Sequence, residues 1–206
     1  MKQPLGVILA GGRATRMGGG DKGLLSLGDT TLLAHVIDRL GPQVAALALN
    51  ANGDPARFAR FGLPVLADSI EGFAGPLAGV LAGMDWAASQ GADTIVTAAA
   101  DTPFFPCHLV PNLLLASEGM EVPLVLAATP DERRGRVRHP TFGLWPVGLR
   151  DDLRAALQGG LRKVVLWTDR HGGREALFDV DGPDPFFNVN TPEDLQRAAD
   201  MQASAK

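Results

Sequence analysis

The chain has 206 residues, 46% of them hydrophobic and 20% charged, with a formal net charge of −4. That length can bury a sizeable core, and the acidic balance argues against a general nucleic-acid binder while leaving room for a local basic site. A single cysteine, Cys107, excludes an intrachain disulfide and leaves a cysteine-based zinc site unsupported. Cys107 is expected as a buried, reduced thiol. No positively charged leader precedes the first strand-like run, and no apolar stretch approaches a membrane span. A soluble, cytoplasmic protein with no membrane or nucleic-acid contact is expected.

Leu5 to Ala10 is short, continuous and apolar, which predicts a fully buried strand. It runs into Gly11-Gly12 and a long loop that carries Arg13, Arg16 and Lys22 among Gly18, Gly19, Gly20 and Gly23. So many glycines cannot sustain a regular helix. Cations beside exposed amides suit a polyphosphate; an ordinary flexible loop after a strand is the plainer alternative.

Leu24 to Leu27 predicts a brief strand. Thr30 or Thr31 then caps a helix through Leu40, with Leu32, Leu33, Val36, Ile37 and Leu40 at helical spacing. Val44 to Leu49 predicts a second buried strand, which ends at Asn50. Asp54 caps a short helix, and Leu63 to Leu66 forms a strand before Asp68. A helix starts near Pro76, where a missing N–H costs nothing. Its Gly79 and Gly83 share one face, suited either to tight packing on the sheet or to a ligand. Thr94 to Ala100 predicts a central strand that stops at Asp101-Thr102-Pro103.

The second half predicts a helix over His108 to Ser117 and a strand over Pro123 to Ala128. A basic run follows, with Arg133, Arg134, Arg136 and Arg138, and then a strand beginning near His139. Such a run reads first as a solvated loop, and otherwise as a site for an anionic phosphate ligand or an acidic partner. Helices over Asp151–Leu157 and from Arg162, a strand from Ala176, and a helix capped by Thr191 complete the chain. Asp194 stands three positions after Thr191, as in a capping box.

Strand–helix alternation predicts an α/β fold with a mostly parallel central sheet. Ligands bind such sheets beyond the carboxyl ends of the strands. Here those ends carry Gly11-Gly12, Asn50, Asp68 and Asp101, which are expected to line one cleft. No linker or internal repeat divides the chain, so residues 1–206 are expected to form a single domain.

Two familiar phosphate loops fail on the opening stretch. A P-loop requires Gly-Lys-Ser/Thr, but Lys22 lies between Asp21 and Gly23. Gly18-x-Gly20-x-x-Gly23 has the letters of the dinucleotide fingerprint, yet it begins eight residues after Ala10, and no helix opens from it. A different pattern fits: Leu9-Ala10-Gly11-Gly12, then Arg16-Met17-Gly18, then Asp21-Lys22. This resembles the sugar-nucleotide and cofactor nucleotidyltransferases.

Within them the chain most resembles the molybdenum cofactor guanylyltransferase (MobA) family. The segments that carry this narrower likeness are Asn50-Ala51-Asn52, Asp68-Ser69, Gly75-Pro76-Leu77-Ala78-Gly79, Asp101-Thr102-Pro103, His139-Pro140-Thr141 and Asn188 to Pro192. The resemblance implies a Rossmann-like, three-layer fold. It also implies transfer of GMP from GTP to molybdenum-molybdopterin, with release of pyrophosphate. Leu9, Ala10, Gly11, Gly12, Lys22, Asn50, Asp68 and Asp101 would bind GTP, and Arg16, Lys22 and Asp101 would serve catalysis. His139, Asn188 and Asn190 would meet the pterin cofactor, so the N-terminal half would hold nucleotide and the C-terminal half pterin.

Asp101 is the candidate Mg²⁺ ligand, because magnesium takes one or two carboxylates with phosphates and water; on sequence alone it could equally cap a helix. Asp68 can accept from guanine N–H groups and Asn50 can donate and accept, although both residues are common in turns. A molybdenum insertase and molybdoenzyme chaperones are the implied partners of a monomer. Two alternatives remain open at this point: a cytidylyltransferase acting on the same cofactor, and a non-catalytic nucleotide-binding module.

Overall fold

The computed structural model describes residues 2–11, 20–70, 72 and 75–204. Seven strands form its main sheet. In chain order these are β1 (Leu5–Leu9), β4 (Leu47–Asn50), β5 (Val65–Leu66), β6 (Thr94–Ala99), β7 (Val125–Asp131), β8 (Gly135–Pro146) and β9 (Arg174–Leu177). A small hairpin of β2 (Ser26–Leu27) and β3 (Thr30–Thr31) stands apart from it. The main order is β5-β4-β1-β6-β8-β7-β9. Neighbours pair in parallel except along β8, which runs against both β6 and β7. The sheet is therefore mostly parallel, as expected.

Its faces follow from the two-residue period of each strand. Ile8, Leu49, Val96 and Ala98 point to one side, where they meet Leu33, Val36 and Leu40 of α1 (Leu32–Leu40) and Leu109, Val110 and Leu113 of α3 (Leu109–Ala116). Leu5, Val7 and Ile95 point to the other side. There they pack on α2 (Pro76–Ser89), α4 (Arg150–Gln158) and α5 (Val164–Arg170). Helices cover both faces, giving three layers. The last helix, α6 (Pro192–Ser204), packs Ala198 with Leu27 and Leu32 in a smaller cluster.

Local signals act where they were expected. Thr31 Oγ1 accepts from the Ala34 N–H, and Asp54 caps the 3₁₀ turn over Pro55–Phe61. Thr191 and Asp194 exchange hydrogen bonds at the start of α6. Gly83 lets α2 lie on the sheet: a Cβ there would come within 2.8 Å of Val7 and 2.9 Å of Ile95.

Two expectations are corrected. Only the second half of the arginine run departs from a solvated loop: Arg133 and Arg134 lie exposed in the turn of the β7–β8 hairpin, whereas Arg136 and Arg138 stand on β8. Asp131 Oδ1 accepts the Arg133 and Arg134 N–H groups at the turn. Arg136 and Arg138 pair with Glu175 on β9, and Arg138 also pairs with Asp169. Cys107 is exposed rather than buried. It precedes α3 at the surface, where Arg39 Nη1 approaches its sulfur at 3.1 Å.

Candidate active site

Strand order reverses at β1, whose chain continuation pairs outward to β4 on one side while β6 lies on the other. A cleft opens at the carboxyl ends of strands around such a point. The site residues stand along that edge in two groups separated by two strand spacings, roughly 10 Å.

Lys22, Asp101 and Asn190 form the first group. Asp101 stands two residues past the end of β6, and Lys22 opens a 3₁₀ turn over Lys22–Leu24 that lies against the same strand end. Gly23 permits this approach, since a Cβ there would sit 3.1 Å from that of Ala100 and 3.3 Å from that of Leu33. Lys22 Nζ lies 3.3 Å from Asp101 Oδ2 and also donates to Asn190 Oδ1. Both ionic side chains are largely covered, with 17% and 15% of their surfaces exposed. Burial pushes the Asp101 carboxyl above its ordinary range, while the Lys22 charge and the Thr102 hydroxyl draw it back. The carboxylate is thus short of compensating positive charge. Asn190 reaches it because the Val189 N–H donates to the Asp101 carbonyl at 2.9 Å.

The second group is Asn50, Asn52 and Asp68. Asn50 ends β4, and its Nδ2 donates to Asp68 Oδ1 at 2.9 Å and to the Leu66 carbonyl. Asn52 grips Asp68 twice, donating to Oδ2 at 2.8 Å and accepting the Asp68 N–H at 2.9 Å. Gly79 creates the space for Asn50: a Cβ at that position would fall 2.2 Å from Asn50 Oδ1. The likeness between Gly79 and Gly83 in sequence therefore conceals two different jobs.

Between the groups lies the end of β1. The Ala10 N–H is committed to the Asn50 carbonyl, and the Leu9 carbonyl accepts from Ala100. Gly11 is exposed, and its side is open among the described residues. Gly12 and Arg16, expected to serve nucleotide binding and catalysis, lie outside the described residues, as does Arg13.

The pterin candidates separate. Asn190 joins the Lys22 group, while Asn188 is exposed two residues earlier. His139 contacts none of these. Its Nε2 lies 2.9 Å from Thr129 Oγ1, and its ring stacks on Phe186 at 4.1 Å, with Phe142 and Phe178 also against Phe186. Burial lowers the imidazole pKa, with Asp184 acting weakly in the opposite direction. Thr97 is paired with Gly143, so His139 lies beyond that pair towards the same edge of the sheet.

The Asp101 environment accommodates a divalent cation. An undercompensated carboxylate at the cleft is a hard oxygen donor, and phosphates and water can complete such a shell. Among the described residues no cluster of three or more His, Cys, Asp or Glu forms a metal cage, and this chemistry needs none.

Residues 6–172 match the family described as the MobA-like NTP transferase domain. A Mesorhizobium japonicum protein called molybdenum cofactor guanylyltransferase is 50% identical over 204 residues, which is 97% of this chain and 96% of its own length. A Rhodopseudomonas palustris protein of the same name is 52% identical over 95% of this chain and 90% of its own. A solved Archaeoglobus fulgidus structure, called molybdopterin-guanine dinucleotide biosynthesis protein A, shares the fold. Its TM-score is 0.73 at 22% identity, with 97% of this chain and 99% of that one covered.

Proposed function

The chain belongs to the MobA-like NTP transferases, and from that premise we propose that it transfers GMP from GTP to molybdenum-molybdopterin. The products are the guanine dinucleotide cofactor and pyrophosphate. The observation that carries this reading is the half-buried Lys22–Asp101–Asn190 group beside the end of β1. It sets a cation and a carboxylate where a triphosphate reaching across from the Asn50–Asp68 group would place its charge.

A terminal phosphate oxygen of the pterin substrate attacks the α-phosphorus of GTP, a new P–O bond forms, and the bond to pyrophosphate breaks. Three anions crowd one centre, so the protein's work is orientation and charge neutralisation. Lys22 supplies positive charge to the phosphates. Arg16, outside the described residues, is assigned the same task. Asp101 would hold Mg²⁺, whose charge would offset that of the phosphates.

At the other end Asp68 accepts from guanine N–H groups, with Asn50 beside it. Leu9, Ala10, Gly11 and Gly12 bring main chain along the nucleotide, with Gly11 presenting the open face. Asn188 and Asn190 face the pterin substrate, and His139 supports that side through Phe186. The N-terminal half thus holds nucleotide and the C-terminal half pterin, within a single domain acting as a monomer. An insertase that delivers the molybdenum cofactor and chaperones that receive the product are the expected partners. Among the described residues no helix is long and apolar enough to cross a membrane.

Incubating the protein with molybdenum-molybdopterin, Mg²⁺ and either GTP or CTP tests the proposal. Release of pyrophosphate with formation of the guanine dinucleotide supports it, and preferred use of CTP overturns it.

A further inference from the structure

Arg57 lies in the 3₁₀ turn over Pro55–Phe61, one turn removed from any residue assigned to substrate. All three of its guanidinium nitrogens are nevertheless engaged, one by the segment that carries Lys22 and two by the loop that follows β4. Nε donates to Asp21 Oδ2 at 2.5 Å, Nη1 to the Asp54 carbonyl at 2.6 Å, and Nη2 to the Asn52 carbonyl at 2.5 Å. The loop bends around the group at Gly53, which has a φ of 84°. A Cβ there would lie 3.2 Å from Nη1 and would also be strained by the backbone.

The partners are informative. Asp21 stands at the N-cap position of the turn that carries Lys22, yet its side chain caps nothing. Its carboxylate is given to Arg57 instead. At the other end Asn52 is the residue that grips Asp68 through both its carboxylate and its N–H. A planar guanidinium can hold three acceptors in fixed directions, which a lysine ammonium on a flexible stem cannot reproduce.

We propose that Arg57 is a positioning residue that ties the base-reading segment, Asn52 and Asp68, to the phosphate-binding segment, Asp21 and Lys22. The inference rests on the assignment of Asp68 to guanine and of Lys22 to phosphate. Its distinctive consequence is that one residue touching neither end of GTP governs both.

The test uses the full chain and two probes. Inosine triphosphate lacks the guanine 2-amino group, so the ratio of kcat/KM for GTP over ITP reads the base end. The affinity for inorganic triphosphate reads the phosphate end. Arg57→Ala is expected to lower both, each roughly tenfold, as the loss of charge-assisted hydrogen bonds predicts. Arg57→Lys should rescue neither.

Asp21→Asn should weaken triphosphate binding while preserving the GTP:ITP ratio, and Asn52→Ala should do the reverse. This split distinguishes positioning from mere stability, which would move the unfolding temperature and leave both readouts unchanged. A folded Arg57→Ala protein that keeps either readout at the wild-type value overturns the proposal. If Arg57→Ala does not fold, the opposite effects of Asp21→Asn and Asn52→Ala carry the test, and identical effects overturn it. Asp68→Asn checks the underlying assignment separately: an unchanged GTP:ITP ratio there refutes the base-reading role, while the triphosphate readout still judges the bridge.

Discussion

Lys22 and Asp101, 79 residues apart in the chain, meet at 3.3 Å with most of both side chains covered. Their contact is lopsided, since burial still pushes the Asp101 carboxyl upward despite the neighbouring ammonium. A site left in that condition is prepared for another cation.

Asp101→Ala is therefore expected to remove Mg²⁺-dependent transfer, with a loss on the order of a hundredfold or more in turnover. Pyrophosphate release measured across a magnesium titration checks this, and unchanged turnover would sink the metal assignment. Protons compete with the metal for the same oxygens. Because the folded pKa is raised, protonation begins at a pH above the usual carboxylate range. Metal affinity should fall as pH drops through that raised value, whereas folding stability contributed by this group is gained, not lost, over the same descent.

Lys22→Ala removes the cation proposed to face the phosphates and leaves Asp101 and Asn190 without their shared donor. GTP affinity and the rate of transfer should both fall, by roughly ten- to a hundredfold. Isothermal titration with GTP and single-turnover rates measure the two effects, and normal values for both would remove Lys22 from the site.

Gly79→Ala and Gly83→Ala form a matched pair on one helix. The first drives a methyl into Asn50 Oδ1 and the second into Val7 and Ile95. Each should cost about 1–3 kcal/mol of stability through overpacking. Only Gly79→Ala should also weaken GTP binding, because only it displaces Asn50, the side chain proposed to stand beside the base. Thermal unfolding alongside GTP titration separates them.

Glu175 accepts from Arg138 and Arg136, and these hydrogen bonds hold its pKa below the ordinary value. A depressed carboxylate contributes stability that is present above its unfolded pKa and is lost as pH falls through its folded pKa. Glu175→Gln should cost about 1 kcal/mol at neutral pH. The deficit should disappear in acid, below the depressed folded value. Urea unfolding midpoints measured at several pH values test the sign; a deficit that grows towards acid contradicts it.

Much of this was legible from residue type and order. The apolar run from Leu5, the cap at Thr31 and the strand-end carboxylate Asp101 each rest on local chemistry, and local chemistry survives folding. Asn50, Asp68 and Lys22 stand out in the sequence because they lie at strand ends or in a recognisable spacing. Arg57 carries no such mark: an arginine in a short polar turn gives no sign that a segment 36 residues away will close on it. Asn52 stood inside a quoted motif, but its double grip on Asp68 depends on β4 and β5 being neighbours. The arginine run misled for a related reason. Its charges resemble a solvated surface until the pairing of β7 with β9 brings Glu175 beside them. Cys107 looked apolar by type, yet it falls just before α3, where the chain turns outward.

The hydrogen bond from Val189 to the Asp101 carbonyl joins a strand end made early in synthesis to a segment made near its end. A ribosome delivers Lys22 and Asp101 long before Asn190, so a half-made chain can assemble the strands that flank the cleft without the group that completes it. The Lys22–Asp101–Asn190 group therefore closes only after the segment just ahead of the last helix has been made.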